Sequence, residues 1–149
     1  MEKSISYLRE QFQLENRDIK TYSPLTLAYI GDGIYELIIR TILVSEGNCQ
    51  PQKLHHRASR LVKAEKQSQM MTILEPLLTE EEHAVYKRGR NAKSYTMAKN
   101  ATMSDYRRAT GFEALMGYLY LPDQNTRMID LIKIGLETED GKESDCTGE

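Results

Sequence analysis

The chain has few of the residues that mark disulfide-rich or membrane-spanning proteins. Its 149 residues include no tryptophan and two cysteines. Cys49 and Cys146 lie far apart in segments of opposite character, so the sequence predicts neither a disulfide framework nor a cysteine metal site. No apolar run approaches the about 18 residues of a membrane span, and the N-terminus has no apolar core of signal-peptide length. These absences predict a soluble, cytoplasmic protein with free thiols.

A large excess of one charge is also absent, because the formal net charge is -2 at pH 7. Residues 137–149 nevertheless hold six acids and one lysine, while residues 1–136 hold 19 lysines and arginines against 16 acids. We therefore expect one mildly basic domain over residues 1–136 and a disordered acidic tail over residues 137–149. The basic residues are concentrated from Tyr86 to Arg108, a segment that contains seven basic residues and one acidic residue.

Signals of β-strands are missing, because no stretch shows sustained alternation of polar and apolar residues or an Asn-Gly hairpin. Helix signals are frequent instead. Ser23-Pro24 predicts the start of a long apolar helix, Leu25 to Val44. Pro51 opens an amphipathic helix, and Thr79 with Glu82 forms a capping box for the next one. The sequence therefore predicts an all-α domain.

The second half of the chain continues this pattern after one interruption. Residues 89–104 show no period and are predicted to form a long basic loop. Another helix begins at about Asp105 and carries apolar residues at three- and four-residue spacings. The last predicted helix runs from Arg127 to Leu136, with Asp123 or Asn125 as its cap.

Asp32 is unusual in the long apolar helix, because an ionised carboxylate among apolar residues needs a partner or a cation. Gly31 and Gly33 flank it, and two glycines that weaken a helix suggest a close approach to its backbone. Glu36 lies one turn later, so two carboxylates could point at one place. Such oxygen ligands suit Mg²⁺. The structural alternative is that Asp32 pairs with an arginine or caps a neighbouring helix.

Glu113 is a second carboxylate between apolar residues, in the segment ATGFEALMGYLYL. It could form a salt bridge with Arg107 or Arg108, although neither lies at the favoured spacing of three or four residues. It could instead meet Asp32 across the fold around a metal ion. The residue pattern leaves both interpretations open.

The two acidic segments resemble signatures of the ribonuclease III catalytic domain. Residues 30–36 (IGDGIYE) are similar to its Gly-Asp motif in a buried helix, and residues 110–120 (TGFEALMGYLY) to its second acidic motif. Residues 88–94 (RGRNAKS) and 106–111 (YRRATG) resemble one branch, Mini-ribonuclease III, which has no appended double-stranded-RNA-binding domain. The resemblance covers about residues 24–136, and the order and separation of the motifs make the joint match specific.

The resemblance implies a homodimeric, Mg²⁺-dependent endoribonuclease that hydrolyses double-stranded RNA. Asp32 and Glu113 match the family's catalytic, metal-binding carboxylates, and Glu36 is a further candidate metal ligand. Two departures halve the usual set of four carboxylates, because Ala28 and Thr110 stand where ribonuclease III proper has acidic residues. One Mg²⁺ with a largely aqueous shell is therefore expected. The family also implies precursor 23S ribosomal RNA as the substrate, in the bacterial cytoplasm.

Basic side chains around the predicted loop supply the phosphate contacts that such an enzyme needs. A-form RNA is recognised mainly by its shape, so such contacts suffice without base readout. An ordinary solvated surface is the alternative, but the ratio of seven basic residues to one acid favours binding. The residues predicted to bind RNA are Lys87, Arg88, Arg90, Lys93, Lys99, Arg107 and Arg108.

Two other classes of function stay open from the residues. A non-catalytic RNA-binding ribosome-assembly factor would need only the basic side chains, and the missing carboxylates at Ala28 and Thr110 are consistent with it. A helical protein-interaction domain would use the apolar helix but would not need the basic segment. Asp32 and Glu113 favour the nuclease, because an RNA binder gains nothing from two anions facing RNA. The long helix is apolar on too many sides for a small domain to cover, which predicts a twofold-symmetric homodimer.

Overall fold

The computed structural model describes residues 4–93 and 102–137. Within these residues there is no β-strand, which confirms the all-α prediction. Most of the predicted acidic tail lies outside the described residues. The helices are α1 (Ser4–Gln11), α2 (Pro24–Ser45), α3 (Pro51–Val62), α4 (Ala64–Leu74), α5 (Glu80–Asn91), α6 (Met103–Tyr120) and α7 (Asn125–Leu136).

The two strongest helix starts are confirmed by their hydrogen bonds. Ser23 Oγ accepts from the backbone N–H of Thr26 at 3.2 Å, and Pro24 is the first residue of α2. At the start of α5, Thr79 Oγ1 accepts from the backbone of Glu82 at 3.1 Å, while the Glu82 carboxylate accepts from the backbone of Thr79 at 2.9 Å. Both motifs satisfy N–H groups that have no partner within the first turn of the helix.

The helix boundaries add to the sequence patterns in one place and correct them in another. The helix that begins at Pro51 breaks at Lys63, where extended backbone separates α3 from α4. Both ends of the predicted loop over residues 89–104 are helical, because α5 continues to Asn91 and α6 begins at Met103. Residues 94–101 lie outside the described part of the chain.

The cap of the last helix and the thiol state also differ from expectation. The N-cap of α7 is Gln124, whose side chain makes no capping hydrogen bond. Asn125 instead donates from Nδ2 to Asp123 Oδ1 at 2.9 Å. Cys49 is disulfide-bonded, which contradicts the expectation of free thiols. The other cysteine of the chain, Cys146, lies outside the described residues.

The core is built on the crossing of α2 and α6. Tyr35 and Phe112 meet edge to face with ring centroids 5.0 Å apart, and both are fully buried. The two helices cross so closely that a Cβ atom on Gly31 would collide with the carbonyl oxygen of Glu113. A Cβ atom on Gly117 would likewise collide with the Leu27 carbonyl. Glycine at these two positions therefore sets the distance between the two helices that carry the candidate carboxylates.

One face of α2 stays outside this core. Its exposed apolar side chains include Tyr29, Leu37 and Val44, which are 83%, 59% and 61% exposed. Gly33 lies on the same side, and a Cβ atom there would meet nothing within 4 Å. Among the described helices, not one combines the length and hydropathy needed to cross a lipid bilayer.

Candidate active site

The close crossing of α2 and α6 brings Asp32 and Glu113 together. Gly31 touches the backbone of Glu113, so the next residue of α2 projects beside the Glu113 carboxyl group. Burial, the negative charge of Asp32 and a hydrogen bond between the two groups together raise the pKa of Glu113 from 4.5 to about 8, and burial is the largest cause. The interpretation that Glu113 meets Asp32 across the fold is thus the one that the geometry supports.

Among the described residues, no cation contributes to the shifted pKa of Glu113. Glu113 forms no ion pair with Arg107 or Arg108 in residues 4–93 and 102–137. Arg108 instead donates to Ser68 Oγ at 3.1 Å and to Thr72 Oγ1 at 2.9 Å, which joins α6 to α4. A cluster of two acids without a positive partner is a place where a divalent cation would be bound favourably.

Gln67 is a member of this site that the sequence patterns did not indicate. Its Nε2 donates to Glu113 Oε2 at 3.4 Å and to the Val62 carbonyl at 2.9 Å. The residue is 1% exposed. A glutamine in a polar stretch of helix carries no charge that would look out of place, so only its position one turn before the buried Met70 and Met71 hinted at an inward side chain.

Glu36 does not join the two carboxylates. Its Oε1 accepts from Arg40 Nη2 at 3.2 Å, and this pair is largely exposed. The described residues contain no group of three or more histidine, cysteine, aspartate or glutamate side chains placed to hold a metal. The site therefore offers two carboxylates, Asp32 and Glu113, as cation ligands.

The two departures from the family pattern have structural roles here. Ala28 is 7% exposed and packs in the core beside the α2–α6 crossing. Thr110 is 8% exposed, and its hydroxyl donates to the Tyr106 carbonyl within α6 at 3.0 Å. Neither position supplies a carboxylate.

The predicted RNA-binding residues divide by exposure. Lys87 and Arg88 are exposed on α5, and Lys93 is exposed just after it. Arg90 is half-buried, with its guanidinium carbon 5.6 Å from the centre of the Tyr86 ring. Such a cation over an aromatic face is held in place by the ring. Lys99 lies outside the described residues.

A cavity of about 470 Å³ opens between the end of α5 and the start of α6. Three arginines line it, Arg90, Arg107 and Arg108. The acid on its wall, Glu75, accepts from His83 Nε2 at 3.0 Å. The cavity is therefore basic. Its Arg107 lies six positions before Glu113 on α6, which is about 9 Å along the helix axis.

Comparison with known proteins finds relatives over most of the chain. A model of the ribonuclease III domain matches residues 25–124. Mini-ribonuclease 3 of Enterococcus faecalis is 52% identical over 118 residues, which cover 78% of this chain and 89% of that protein. Mini-ribonuclease 3 of Clostridium tetani is 46% identical over 129 residues, which cover 86% and 84% of the two chains.

A solved structure shares the fold. The crystal structure of a protein from Fusobacterium nucleatum superposes with a TM-score of 0.74 at 31% identity, and the match covers 82% of this chain and 99% of the other. The domain match spans most of the chain, and the relatives are similar over nearly their whole length. The chain therefore belongs to the ribonuclease III family, in its Mini-ribonuclease III branch, and is an endoribonuclease.

Proposed function

We propose that the chain hydrolyses double-stranded RNA at Asp32 and Glu113 in a Mg²⁺-dependent reaction. The observation that carries this proposal is the uncompensated carboxylate pair, in which burial and Asp32 together raise the pKa of Glu113 to about 8. A structural carboxylate is normally paired with a cation, whereas a cation-binding carboxylate is left without one in the protein alone.

The donor set fits Mg²⁺ with few protein ligands. The two carboxylates supply hard oxygen atoms, and the amide oxygen of Gln67 is buried without a hydrogen-bond partner in the described residues. Mg²⁺ commonly keeps several waters and uses one or two carboxylates. A bound Mg²⁺ would supply Lewis-acid chemistry at the phosphodiester, because a divalent cation acidifies water and stabilises charge on phosphate oxygens. Asp32 and Glu113 would hold it, and no covalent bond to the protein is needed.

The basic side chains beside the site would bind the RNA backbone. Lys87 and Arg88 are exposed and free to reach phosphates, while Arg90 and Arg107 line the basic cavity next to α6. Phosphate contacts of this kind give affinity and orientation with little sequence information. We propose precursor 23S ribosomal RNA, in the bacterial cytoplasm, as the substrate, because the family resemblance implies it.

Replacing Asp32 with asparagine tests the proposal. The shape of the side chain is kept and one ligand charge is lost, so cleavage of a long RNA duplex in Mg²⁺ should fall by more than about 100-fold, beyond the range for residues outside the ligand set. Binding of the uncut duplex, measured by filter retention, should persist in this variant. The double replacement of Lys87 and Arg88 by alanine should weaken that binding instead.

Cleavage by Asp32→Asn at the wild-type rate would exclude the carboxylate as a metal ligand. If the wild-type protein binds duplex RNA but cuts none in Mg²⁺ or Mn²⁺, the chain is an RNA-binding factor and the nuclease proposal fails.

We also propose that the enzyme acts as a twofold-symmetric homodimer through the exposed face of α2. Tyr29, Gly33 and Leu37 follow one another at four-residue spacing, so they form one stripe. Gly33 in its middle leaves open space in which a second backbone could approach. A duplex has two antiparallel strands related by a local twofold axis, so two symmetric sites match the substrate.

Leu37→Glu tests the dimer, because it places a charge on the stripe. Sedimentation of the wild type should give about twice 17.2 kDa, and the variant should approach the single-chain mass. Tyr7→Glu is the matched control, since Tyr7 is 63% exposed and belongs to a different helix, α1. Ile38 is less suitable than Leu37, because it packs partly against the core. A wild-type monomer with full activity would contradict the dimer.

A further inference from the structure

The amide group of Gln67 connects two elements of the site. Both of its Nε2 hydrogen bonds are made inside the protein, to the Val62 carbonyl at 2.9 Å and to the Glu113 carboxylate at 3.4 Å. Val62 is the last residue of α3, and Gln67 lies in the first turn and a half of α4. Since the carbonyl groups at a helix end have no partner within the helix, the glutamine completes the end of α3 while it reaches Glu113.

The end of α3 is held from the other side by the helix of Asp32. Tyr35 donates from its hydroxyl to the Leu61 carbonyl at 2.7 Å. Tyr35 lies three residues after Asp32, about one turn further along α2. Two successive carbonyl groups at the α3–α4 corner are thus bound, one by α2 and one by Gln67. The α3–α4 corner therefore connects α2, the helix that carries Asp32, with Gln67, which contacts the Glu113 carboxylate.

The orientation of the amide is fixed by these partners. Rotating it by half a turn would place its oxygen against the Val62 carbonyl and the Glu113 carboxylate, and acceptors facing acceptors repel. The group therefore donates to Glu113. Because an amide carries no net charge, it holds the carboxylate in place without replacing the cation that the carboxylate would bind, which a lysine or arginine at this position would do.

The amide oxygen of Gln67 takes no part in these contacts, which are made by Nε2. Oε1 is buried and has no hydrogen-bond partner among the described residues. An unpaired buried acceptor is destabilising, and such groups in native proteins usually receive a water or serve a bound ligand. The waters around a Mg²⁺ are hydrogen-bond donors, which is the kind of partner that this oxygen lacks.

We propose that Gln67 is a positioning residue of the cation site. Nε2 orients the Glu113 carboxylate, and Oε1 accepts a hydrogen bond from a water in the shell of the cation. The inference rests on the proposed function of Asp32 and Glu113. Partners of this kind, one step removed from the ion, typically change metal affinity or activity by about 10- to 100-fold when they are removed.

Gln67→Met tests this role, because methionine keeps the length of the side chain and cannot form either hydrogen bond. Gln69→Met is the matched control, since Gln69 is exposed on the same helix. Mn²⁺ binding to the RNA-free protein is measured by calorimetry, and the Mg²⁺ concentration for half-maximal single-turnover cleavage is measured separately. The Mn²⁺ dissociation constant and the Mg²⁺ concentration for half-maximal cleavage should both rise by about 10- to 100-fold in Gln67→Met and stay unchanged in Gln69→Met. Excess Mg²⁺ should restore most of the rate, while duplex affinity in EDTA stays the same.

Wild-type Mn²⁺ affinity and half-saturation in a folded Gln67→Met protein would overturn the proposal, even if its melting temperature were lower. If the methionine variant does not fold, Gln67→Asn takes its place, because it stays polar but withdraws the amide from Glu113 by one methylene. Gln67→Asn should weaken Mn²⁺ binding in the same way, and unchanged Mn²⁺ binding in this variant would also overturn the proposed role of Gln67. Asp32→Asn separates the two proposals: loss of Mn²⁺ binding there with none in the Gln67 variants rejects only the role of Gln67. Retained binding and cleavage in Asp32→Asn rejects the site itself.

Discussion

Glu82 and Glu113 are two inward-facing glutamates of the same small domain, and their surroundings are opposite. Glu82 is 5% exposed and accepts from Arg127 Nε and Nη2, both at 2.9 Å, and from the Thr79 backbone at 2.9 Å. The Arg127 guanidinium, together with Thr79, holds the pKa of Glu82 below its ordinary value against the effect of burial. Glu113 has Asp32 beside it and a neutral amide, so its pKa is raised.

Glu82 stabilises the fold when it is ionised, whereas Glu113 destabilises the fold when it is ionised. Around Glu82, every strong partner favours the charged form, so the fold itself compensates the charge. Around Glu113, burial and Asp32 both oppose the charged form, so ionisation destabilises the free protein and is favoured only if a cation arrives from outside. An inward carboxylate by itself therefore indicates nothing, whereas an inward carboxylate without a cationic partner indicates a site.

The larger expected effect on stability concerns the compensated pair. Arg127→Met should lower the free energy of unfolding by about 2 kcal/mol, because it leaves the buried Glu82 charge with one backbone donor. This value allows for the partial exposure of Arg127, which weakens the pair. Urea denaturation measures it. Lys133→Met is the control, since Lys133 on the same helix makes an exposed contact of 4.0 Å and should change little.

Cleavage by folded Arg127→Met protein should match the wild type, because the pair touches no part of the site. A loss of activity per folded molecule, with normal stability, would erase the distinction between the two glutamates.

A smaller effect is expected in how stability depends on pH. Because the pKa of Glu113 rises from 4.5 to about 8 on folding, the folded state binds more protons than the unfolded state between these values. Its contribution therefore falls as pH rises through this window. In EDTA, Glu113→Gln should gain stability relative to the wild type as pH increases from about 5 to about 8.

Glu82→Gln sharpens the contrast, because its sign is opposite. The lowered pKa of Glu82 stabilises the fold once the group is ionised, so this variant should be most destabilised near neutral pH and less so in acid. Urea denaturation at several pH values measures both variants. Parallel pH curves for wild type and Glu113→Gln would mean that Glu113 is not strained by its surroundings.

The parts of the fold that the sequence predicted are those with local signals. Ser23-Pro24 and the Thr79–Glu82 box encode their helix starts in side chains that bond within four residues, so they can be recognised without the tertiary structure. The break at Lys63 has no such signal. It is stabilised by Gln67, five residues after Val62, and by Tyr35, which lies 26 residues from Leu61 and becomes its neighbour only after folding.

The candidate site shows the same division. Asp32 and Glu113 were predicted because a charge among apolar residues is anomalous on any helix. Their pairing could not be derived from spacing, since it depends on where α2 and α6 cross. Gly31 was correctly taken as a sign of close approach, whereas Gly33 was not distinguished from it, although one meets the backbone of α6 and the other meets open space.

The crossing at Gly31 and Gly117 has a consequence for how this sequence can change. The spacing of the two acidic side chains is set by main chain lying against main chain, not by the volumes of the surrounding side chains. Substitutions among Leu, Ile, Val and Met elsewhere in the interior can therefore accumulate without shifting the two carboxylates relative to each other. The two glycines do not share this freedom, because any side chain at either position would push the helices apart.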